Sequence, residues 1–411
     1  MPTHITENKL NEATTAVDIE KLVYGGEGLA RQEGQVILVP FVLPGEKVSV
    51  TPERVKNGLM RASTAQVLQR SPQRIEPRCE YFADCGGCHL QQTGHVYQVE
   101  QKLAILRETL QRLGSLTYEA EIPAVSGEPW NYRNRVQLHF QDGKSGFHRA
   151  GSHDIRSVSH CEIASPLLNQ TIALLQGAVR QTEWPKFLRS LEIFSNESQI
   201  QITVLDSNRA VAARFFDWTK GFLPPQVDGA IEYQALGHTF RISRGSFFQT
   251  NRFLLDQLVN VALGDSSGEH AVDLYAGVGL FTLPLSQRFK TVDAVERGGP
   301  AFHDLEWNAA HAGATNIRPR RGSAEEFLPR NEGKPELIVA DPPRAGLGPT
   351  ATAELLRILP PQLTIVSCDP ATLARDLRKL LPGGYAVEKI TLVDLFPQTY
   401  HFETVVHLRR A

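Results

Sequence analysis

The chain has 411 residues, long enough for two or three domains that each bury a core. Its 41% hydrophobic and 21% charged residues are ordinary for a soluble protein, and no apolar run approaches the roughly 20 residues of a membrane span. A net charge of −2 argues for no polyanionic partner by itself, and the opening MPTHITENKLNEATTAVDIEK lacks the basic flank and apolar stretch of a secretory signal, so a cytoplasmic protein is expected.

Residues 17–70 read as short strands broken at GG 25–26, EG 33–34 and PG 44–45. Several strands in so short a stretch predict a small closed barrel of OB type, because closure removes exposed edges. A cysteine-rich loop over 79–88 follows, then an amphipathic helix around Val96–Leu113. Residues 120–245 favour strands again, clearest in NYRNRVQLHFQ and SQIQITVL. From about Phe247 onward helix and strand signals alternate: TNRFLLDQLVNVAL, AVDLYA, VDAVE, ELIVADPP and TIVSCD. That alternation predicts a parallel, doubly wound sheet. The fold class is therefore α/β, with a Rossmann-like domain over 247–411, a mostly β central domain over 73–246 and a barrel over 14–72.

The modest net charge hides local clusters. Residues 52–78 hold Arg54, Lys56, Arg61, Arg70, Arg74 and Arg78 against Glu53 and Glu76, six minus two or +4. Arg133, Arg135, His139, Lys144, His148 and Arg149 are opposed only by Asp142. Such runs are commonly solvated faces, but basic residues interleaved with rings also suit a nucleic-acid surface, where phosphates set affinity and rings stack bases.

Only five cysteines occur. Cys79, Cys85 and Cys88 form C-x5-C-x2-C in CEYFADCGGC, with Gly86 and Gly87 allowing a tight fold. Clustered cytoplasmic thiols more often bind metal than form disulfides. Cys161, in SVSHCEIASP, is the remaining candidate in that half of the chain. Four thiolates suit zinc or a [4Fe–4S] cluster, and three close ligands with one distant favour the cluster over zinc's two close pairs. The spacing differs from that expected of a radical enzyme, which favours a structural cluster. Cys368, after the apolar run in IVSCDPATLARDL, is then left alone.

In AVDLYAGVGLFTLPLS, a strand ending near Asp273 is followed by Tyr275, Gly277 and Gly279, where a cofactor can approach the backbone. Seventeen residues past Gly279, Glu296 ends the next strand, where a carboxylate can bind a ribose diol. The third glycine of the dinucleotide fingerprint is absent, which disfavours NAD. In ADPPRAG, Asp341 ends a strand and two prolines stiffen the loop, an arrangement suited to an adenosylmethionine-dependent methyltransferase acting on a planar base.

GSFFQTN, DLYAGVG, ADPPRAG, SCDPATLARDL and HFETV, in that order, resemble the RNA uracil-5-methyltransferase family. GGEGLA with VLPGEKV resembles the TRAM domain attached to many of its members. The resemblance implies that Cys368 is a nucleophile and Glu403 the proton acceptor. It implies adenosylmethionine contacts from Gln249, Tyr275, Glu296 and Asp341, and a [4Fe–4S] cluster on Cys79, Cys85, Cys88 and Cys161. It further implies structured RNA as substrate, 23S ribosomal RNA before transfer RNA; no obligate protein partner is evident in the sequence, and a monomer is expected. Three positions depart from the family pattern: Ala276 replaces a frequent cysteine, Asp369 a common asparagine and Ala345 a frequent lysine.

Uracil C5 is a weak nucleophile. A thiolate adding to C6 generates an enolate whose C5 can accept a methyl group, and a base then removes the C5 proton. Two readings from other classes compete: an iron–sulfur RNA-binding module, opposed by the intact Cys368 and Glu403, and a dinucleotide-dependent oxidoreductase, opposed by the missing glycine. A cytosine C5 enzyme would typically carry Pro or Thr before its cysteine, where this chain has Ser367.

Overall fold

The computed structural model describes residues 14–56 and 58–411; the opening segment read above for a signal lies outside the described residues over 1–13. The chain forms two compact units. The first extends to Ile105 and includes Gln398–Tyr400, and the second holds Leu106–Pro397 with His401–Ala411.

In the first unit six strands run in the spatial order Thr15–Asp18, Lys47–Lys56, Leu59–Gln69, Gln35–Pro40, Glu27–Gln32 and Lys21–Leu22. The two outermost strands are separated by only two residues of chain, so the sheet curls back on itself around Val17, Ala30, Ile37, Val48 and Val50. Only glycine fits at Gly28, where a Cβ would lie 2.4 Å from Val42 and 2.8 Å from Ile19. Glu46 is fully buried and accepts from Leu43 N at 2.8 Å and from Arg74 at 2.7 Å, which pins the chain leaving the barrel. Burial raises the Glu46 pKa, but these bonds outweigh it and the net shift is downward. The cysteine loop follows, with Cys79 N donating to Gln91 and Cys85 N to Tyr81 O.

The second unit opens with a five-stranded antiparallel sheet, ordered Ile155–Ser157, Lys144–His148, Arg135–Gln141, Leu188–Ser195 and Ile200–Ser207. Alternate residues such as Leu138, Phe140, Leu191 and Ile193 pack with Leu168 and Ile172 of the helix Pro166–Ala178. The opposite register positions carry Arg135 and His139, and the Arg135 guanidinium lies 4.4 Å from the Phe194 ring centre.

An eight-stranded sheet forms the rest. Its strands are β1 (Ala124–Val125), β2 (Gly268–Leu274), β3 (Phe289–Glu296), β4 (Ile317–Arg321), β5 (Leu337–Ala340), β6 (Gln362–Ser367), β7 (Tyr385–Val393) and β8 (Glu403–Arg410), in the order β4-β3-β2-β5-β6-β8-β7-β1. Strands β2 to β6 are mutually parallel, and β8 runs antiparallel between β6 and β7. LIVA in β5 is buried at every position, as a parallel strand covered on both faces must be. The hairpin Ile231–Ala235 and His238–Ile242 adds Ile231, Phe240 and Ile242 to the core shared with the helix Leu255–Leu263. Among the described residues no helix is long and apolar enough to cross a membrane.

Candidate active site

Parallel strands end together, so β2, β3, β5 and β6 deliver Tyr275, Glu296, Asp341 and Cys368 to one end of the sheet. Because β8 is antiparallel to β6, its first residue, Glu403, starts at that same end. The register pairs Ser367 with Thr404, which sets Cys368 and Glu403 one step further on at adjacent strand positions. Residues 35 apart in the chain are thereby neighbours in the sheet.

Each loop is fixed from below. After β2, Tyr275 has φ +62°, Gly277 +57° and Gly279 +99°, and a Cβ on Gly279 would meet Leu305 at 3.0 Å. Glu296 accepts from Gly277 N at 2.9 Å, tying the carboxylate to the glycine loop. After β5, Leu347 N donates to Asp376 at 2.9 Å, and Gly346 leaves no room for a Cβ beside that carboxylate. After β6, Asp369 caps the helix Pro370–Leu380 by accepting from Ala371 N and Thr372 N, both at 2.9 Å. The GSFFQTN segment is held by Asp304, which accepts from Ser243 and Ser246 hydroxyls at 2.6 Å each, and by Asn134, which donates to Gln249 O at 3.2 Å.

The electrostatics are those of an acid cluster out of water. Burial raises the pKa values of both the Asp341 and Glu403 carboxyls; at Glu403 the Asp341 charge adds to the shift and Arg344 opposes it. Asp273 is fully buried and is pushed up to about 7, first by burial and then by Asp341 and Glu296. Among the described residues, Glu403 Oε2, Asp273 Oδ1 and the Tyr275 hydroxyl are buried without a hydrogen-bond partner. The Cys368 thiol is raised to about 12, by burial first and then by Glu403 and Asp341, with Asp369 the weakest contributor. A half-buried thiol, a carboxyl beside it and a glycine-loop carboxylate are the parts required for nucleophilic addition next to a bound small molecule.

Among the sequence-predicted residues, Tyr275, Glu296, Asp341, Cys368 and Glu403 share this end of the sheet, and buried Gln249 sits on the anchored loop. Two residues escaped sequence reasoning. Asp273 ends in the acid cluster, a fact that depends on strands far apart in the chain. Phe247 is 64% exposed beside Gln249, which is 4% exposed, an aromatic ring offered to solvent where a base could stack; its place in GSFFQTN was the available signal.

The four thiols expected to ligate a cluster are all half-buried. Cys79, Cys85 and Cys88 belong to the first unit and Cys161 to the second. Among the described residues, no group of three or more His, Cys, Asp or Glu side chains is gathered to hold a metal ion. The donor chemistry suits iron, and metal-site geometry commonly forms with the metal.

The sequence of an RNA methyltransferase of Aquifex aeolicus is 32% identical over 423 residues, covering 95% of this chain and 97% of the relative. The tRNA (uracil-5-)-methyltransferase family pattern matches residues 224–411 and the TRAM domain pattern residues 10–64. The chain belongs to the RNA (uracil-5-)-methyltransferase family. A Streptomyces avermitilis RNA methyltransferase is likewise 32% identical, over 96% of this chain. The fold resembles that of the Pyrococcus abyssi tRNA (uracil-54, C5)-methyltransferase, solved in complex with S-adenosyl-L-homocysteine. The TM-score is 0.74 and the identity 25%, covering 96% of this chain and all of the other. The protein is thus an RNA methyltransferase with an N-terminal TRAM domain.

Proposed function

We propose that this enzyme methylates C5 of a uridine in structured RNA, 23S ribosomal RNA before transfer RNA, through a covalent bond between Cys368 and C6. The observation that carries the reading is the β6–β8 register, which sets Cys368 beside Glu403 at the carboxyl end of the sheet.

Gln249, Tyr275, Glu296 and Asp341 hold adenosylmethionine: the Glu296 carboxylate on the glycine loop suits a ribose diol, and the unpartnered Tyr275 hydroxyl is a polar group awaiting a ligand. When bound, the cofactor supplies an electrophilic methyl group and a positive charge. A positive charge among Cys368, Asp341 and Glu403 favours the thiolate and the carboxylate. As the thiolate, Cys368 sulfur bonds to C6 of an extruded uracil, the C5–C6 π electrons pass to C5 and O4, and C5 would take the methyl group as that carbon's bond to the donor sulfur breaks, its electron pair leaving with the sulfur as a neutral thioether. Glu403 accepts the C5 proton, the C5–C6 double bond re-forms and the C6–sulfur bond breaks.

Two substitutions with opposite outcomes test this. Cys368→Ala should neither methylate nor form an adduct. Glu403→Gln should methylate once and retain the RNA through denaturing electrophoresis, since proton removal is lost. RNA carrying 5-fluorouridine should trap the unmutated enzyme. A Cys368→Ala protein that still methylates would overturn the proposal.

The choice of RNA rests on the four-cysteine set, which family resemblance associates with 23S ribosomal RNA. The transfer-RNA reading is favoured by the archaeal relative's own substrate. Mass mapping of 5-methyluridine in cells lacking the gene separates them. We also propose a [4Fe–4S] cluster on Cys79, Cys85, Cys88 and Cys161 in a cytoplasmic monomer, with no step of methyl transfer running through it. Anaerobically prepared protein should absorb broadly near ~400 nm and hold about four irons per chain. Stoichiometric zinc without iron would refute the cluster.

A further inference from the structure

At the outer edge of the eight-stranded sheet lies a basic hollow that the methyl-transfer chemistry does not use. Among the described residues strand β4 is the edge, paired with β3 alone, and its sequence IRPRR combines a proline with arginines, as edge strands exposed to solvent often do. Between these strands and residues 326–331 is a space of about 580 Å³, lined by Asp293, Arg320, Arg321, Glu326, Arg330 and Asn331.

The charges around it do not cancel. Asp293 is committed to Arg320 Nε at 2.7 Å and to His270 Nε2 at 2.8 Å. Glu326 is committed to Ser323 N at 3.0 Å, as the second half of a capping box. Both carboxylates are therefore engaged locally. Among the described residues, Arg321 and Arg330 have neither an ion-pair nor a hydrogen-bond partner, and both are exposed. Asn331 uses its carbonyl on Gly333 N, while its Nδ2 is buried with no acceptor. Two guanidiniums and a carboxamide N–H thus border one space with no acceptor among them.

Guanidinium forks match the oxygens of a phosphate in pairs, and the volume exceeds what one phosphate needs, leaving room for flanking sugars. The hollow also begins level with the active end of the sheet: Arg321 is the register partner of Glu296, and Gly322 N donates to Glu296 O at 3.0 Å.

We propose that this hollow is a phosphodiester-binding site that holds the RNA backbone away from the target uridine, with Arg321 and Arg330 as its anchors. The inference rests on RNA as the substrate, and it adds a contact made by the catalytic unit itself, independent of the barrel.

The test uses the full-length protein and two transcripts, one of 23S ribosomal RNA and one of transfer RNA. RNA affinity is measured from low to moderate salt for the unmutated protein, the double variant Arg321→Gln/Arg330→Gln and the double variant Arg321→Lys/Arg330→Lys. Adenosylmethionine affinity is measured by calorimetry, and inorganic pyrophosphate serves as a small-anion probe. The glutamine variant should bind RNA about 10-fold or more weakly at low salt, with the slope of log K against log salt reduced by roughly 1 to 2, one unit per lost phosphate contact. The lysine variant should recover most of the slope, and adenosylmethionine affinity should be unchanged in both. Unchanged RNA affinity and slope overturn the proposal. A fall in adenosylmethionine affinity alone assigns the hollow to the cofactor and also overturns it. Tight pyrophosphate binding that leaves RNA affinity unaffected makes it a small-anion site, again against the proposal. If the unmutated protein methylates no RNA, the functional reading fails separately, and the binding comparison shows which of the two is wrong.

Discussion

Two aspartates one register step apart behave in opposite ways. Asp293 on β3 lies opposite Val272 of β2, and Asp273 is the next residue of β2. Both are buried, at 5% and 0% exposure. Burial raises the pKa of Asp293, but His270 and Arg320 each bond one of its oxygens and the net shift is downward. Asp273 is hydrogen-bonded by Thr282, whose hydroxyl donates at 2.5 Å, but burial and then the neighbouring carboxylates Asp341 and Glu296 outweigh this, so it is raised to about 7. The same residue type is a satisfied ion pair in one strand and a strained group in the next. What separates them is position: Asp273 is at the end of the sheet where Asp341, Cys368 and Glu403 collect. Clustered, unsatisfied carboxyls cost stability and are retained where chemistry needs them.

If that clustering governs the site, its largest effect falls on Cys368. A thiol pushed to about 12, against about 9 for an ordinary one, holds roughly a thousandfold less thiolate at pH 8. Because a more basic thiolate is also a better nucleophile, alkylation of Cys368 by iodoacetamide in protein free of cofactor and RNA should be slower than that of an exposed thiol by about one to two orders of magnitude, and should still be rising at pH 10. Glu403→Gln should accelerate it more than Asp369→Asn, because Glu403 is the larger of the two charge contributions and Asp369 already directs its carboxylate to two helix N–H groups. Equal acceleration by the two variants would show that the acid cluster does not set the thiol.

The next effect tests Asp273 directly. In the folded protein it keeps its proton to about pH 7, whereas in the unfolded chain it ionises near 3.8. Between those values the folded state binds the extra proton, so this group's contribution to stability falls as pH rises. Asp273→Asn is neutral throughout and should gain stability relative to the parent from pH 4 to 7, reaching up to about 4 kcal/mol at 1.36 kcal/mol per pKa unit. Thermal melts of both proteins at pH 5 and pH 8 check this. A difference in melting temperature that does not grow with pH would mean that Asp273 is ionised and satisfied.

These behaviours divide what the sequence discloses from what it does not. The β-branched runs AVDLYA, VDAVE, ELIVADPP and TIVSCD lie in β2, β3, β5 and β6, because burial on both faces leaves a continuous apolar signature. The loops after them were legible as motifs for the same reason that they are rigid: glycines at positive φ, prolines, a helix cap. The antiparallel return of β8 was not legible. Nothing local in HFETVVHLRR fixes its pairing with β6, yet that register is what sets Glu403 beside Cys368. Asp369 was readable as a charge next to the thiol, but its duty as a cap depends on the backbone. The orphan oxygen of Asp273 and the unmatched Arg321 and Arg330 around the hollow are likewise products of tertiary proximity.

The smallest expected effect comes from the other member of the comparison. Asp293 is held below the usual carboxylate range, so its contribution is present above pH 3.8 and is lost as pH falls through its lower folded value. Asp293→Asn should cost about 1–2 kcal/mol at pH 7, since it weakens two charge-assisted bonds around a side chain that is 7% exposed. The figure is kept low because Arg320 is 49% exposed and solvent screens its half of the network. The deficit should shrink toward zero near pH 3, opposite in direction to the Asp273→Asn gain, which grows with pH. Arg320, once released, would join Arg321 and Arg330 around the hollow, so the same variant should tighten RNA binding slightly at low salt. Urea titrations at pH 7 and pH 3.5 measure the stability part. A pH-independent deficit would identify a packing role, and Asp293 would then be no ion pair at all.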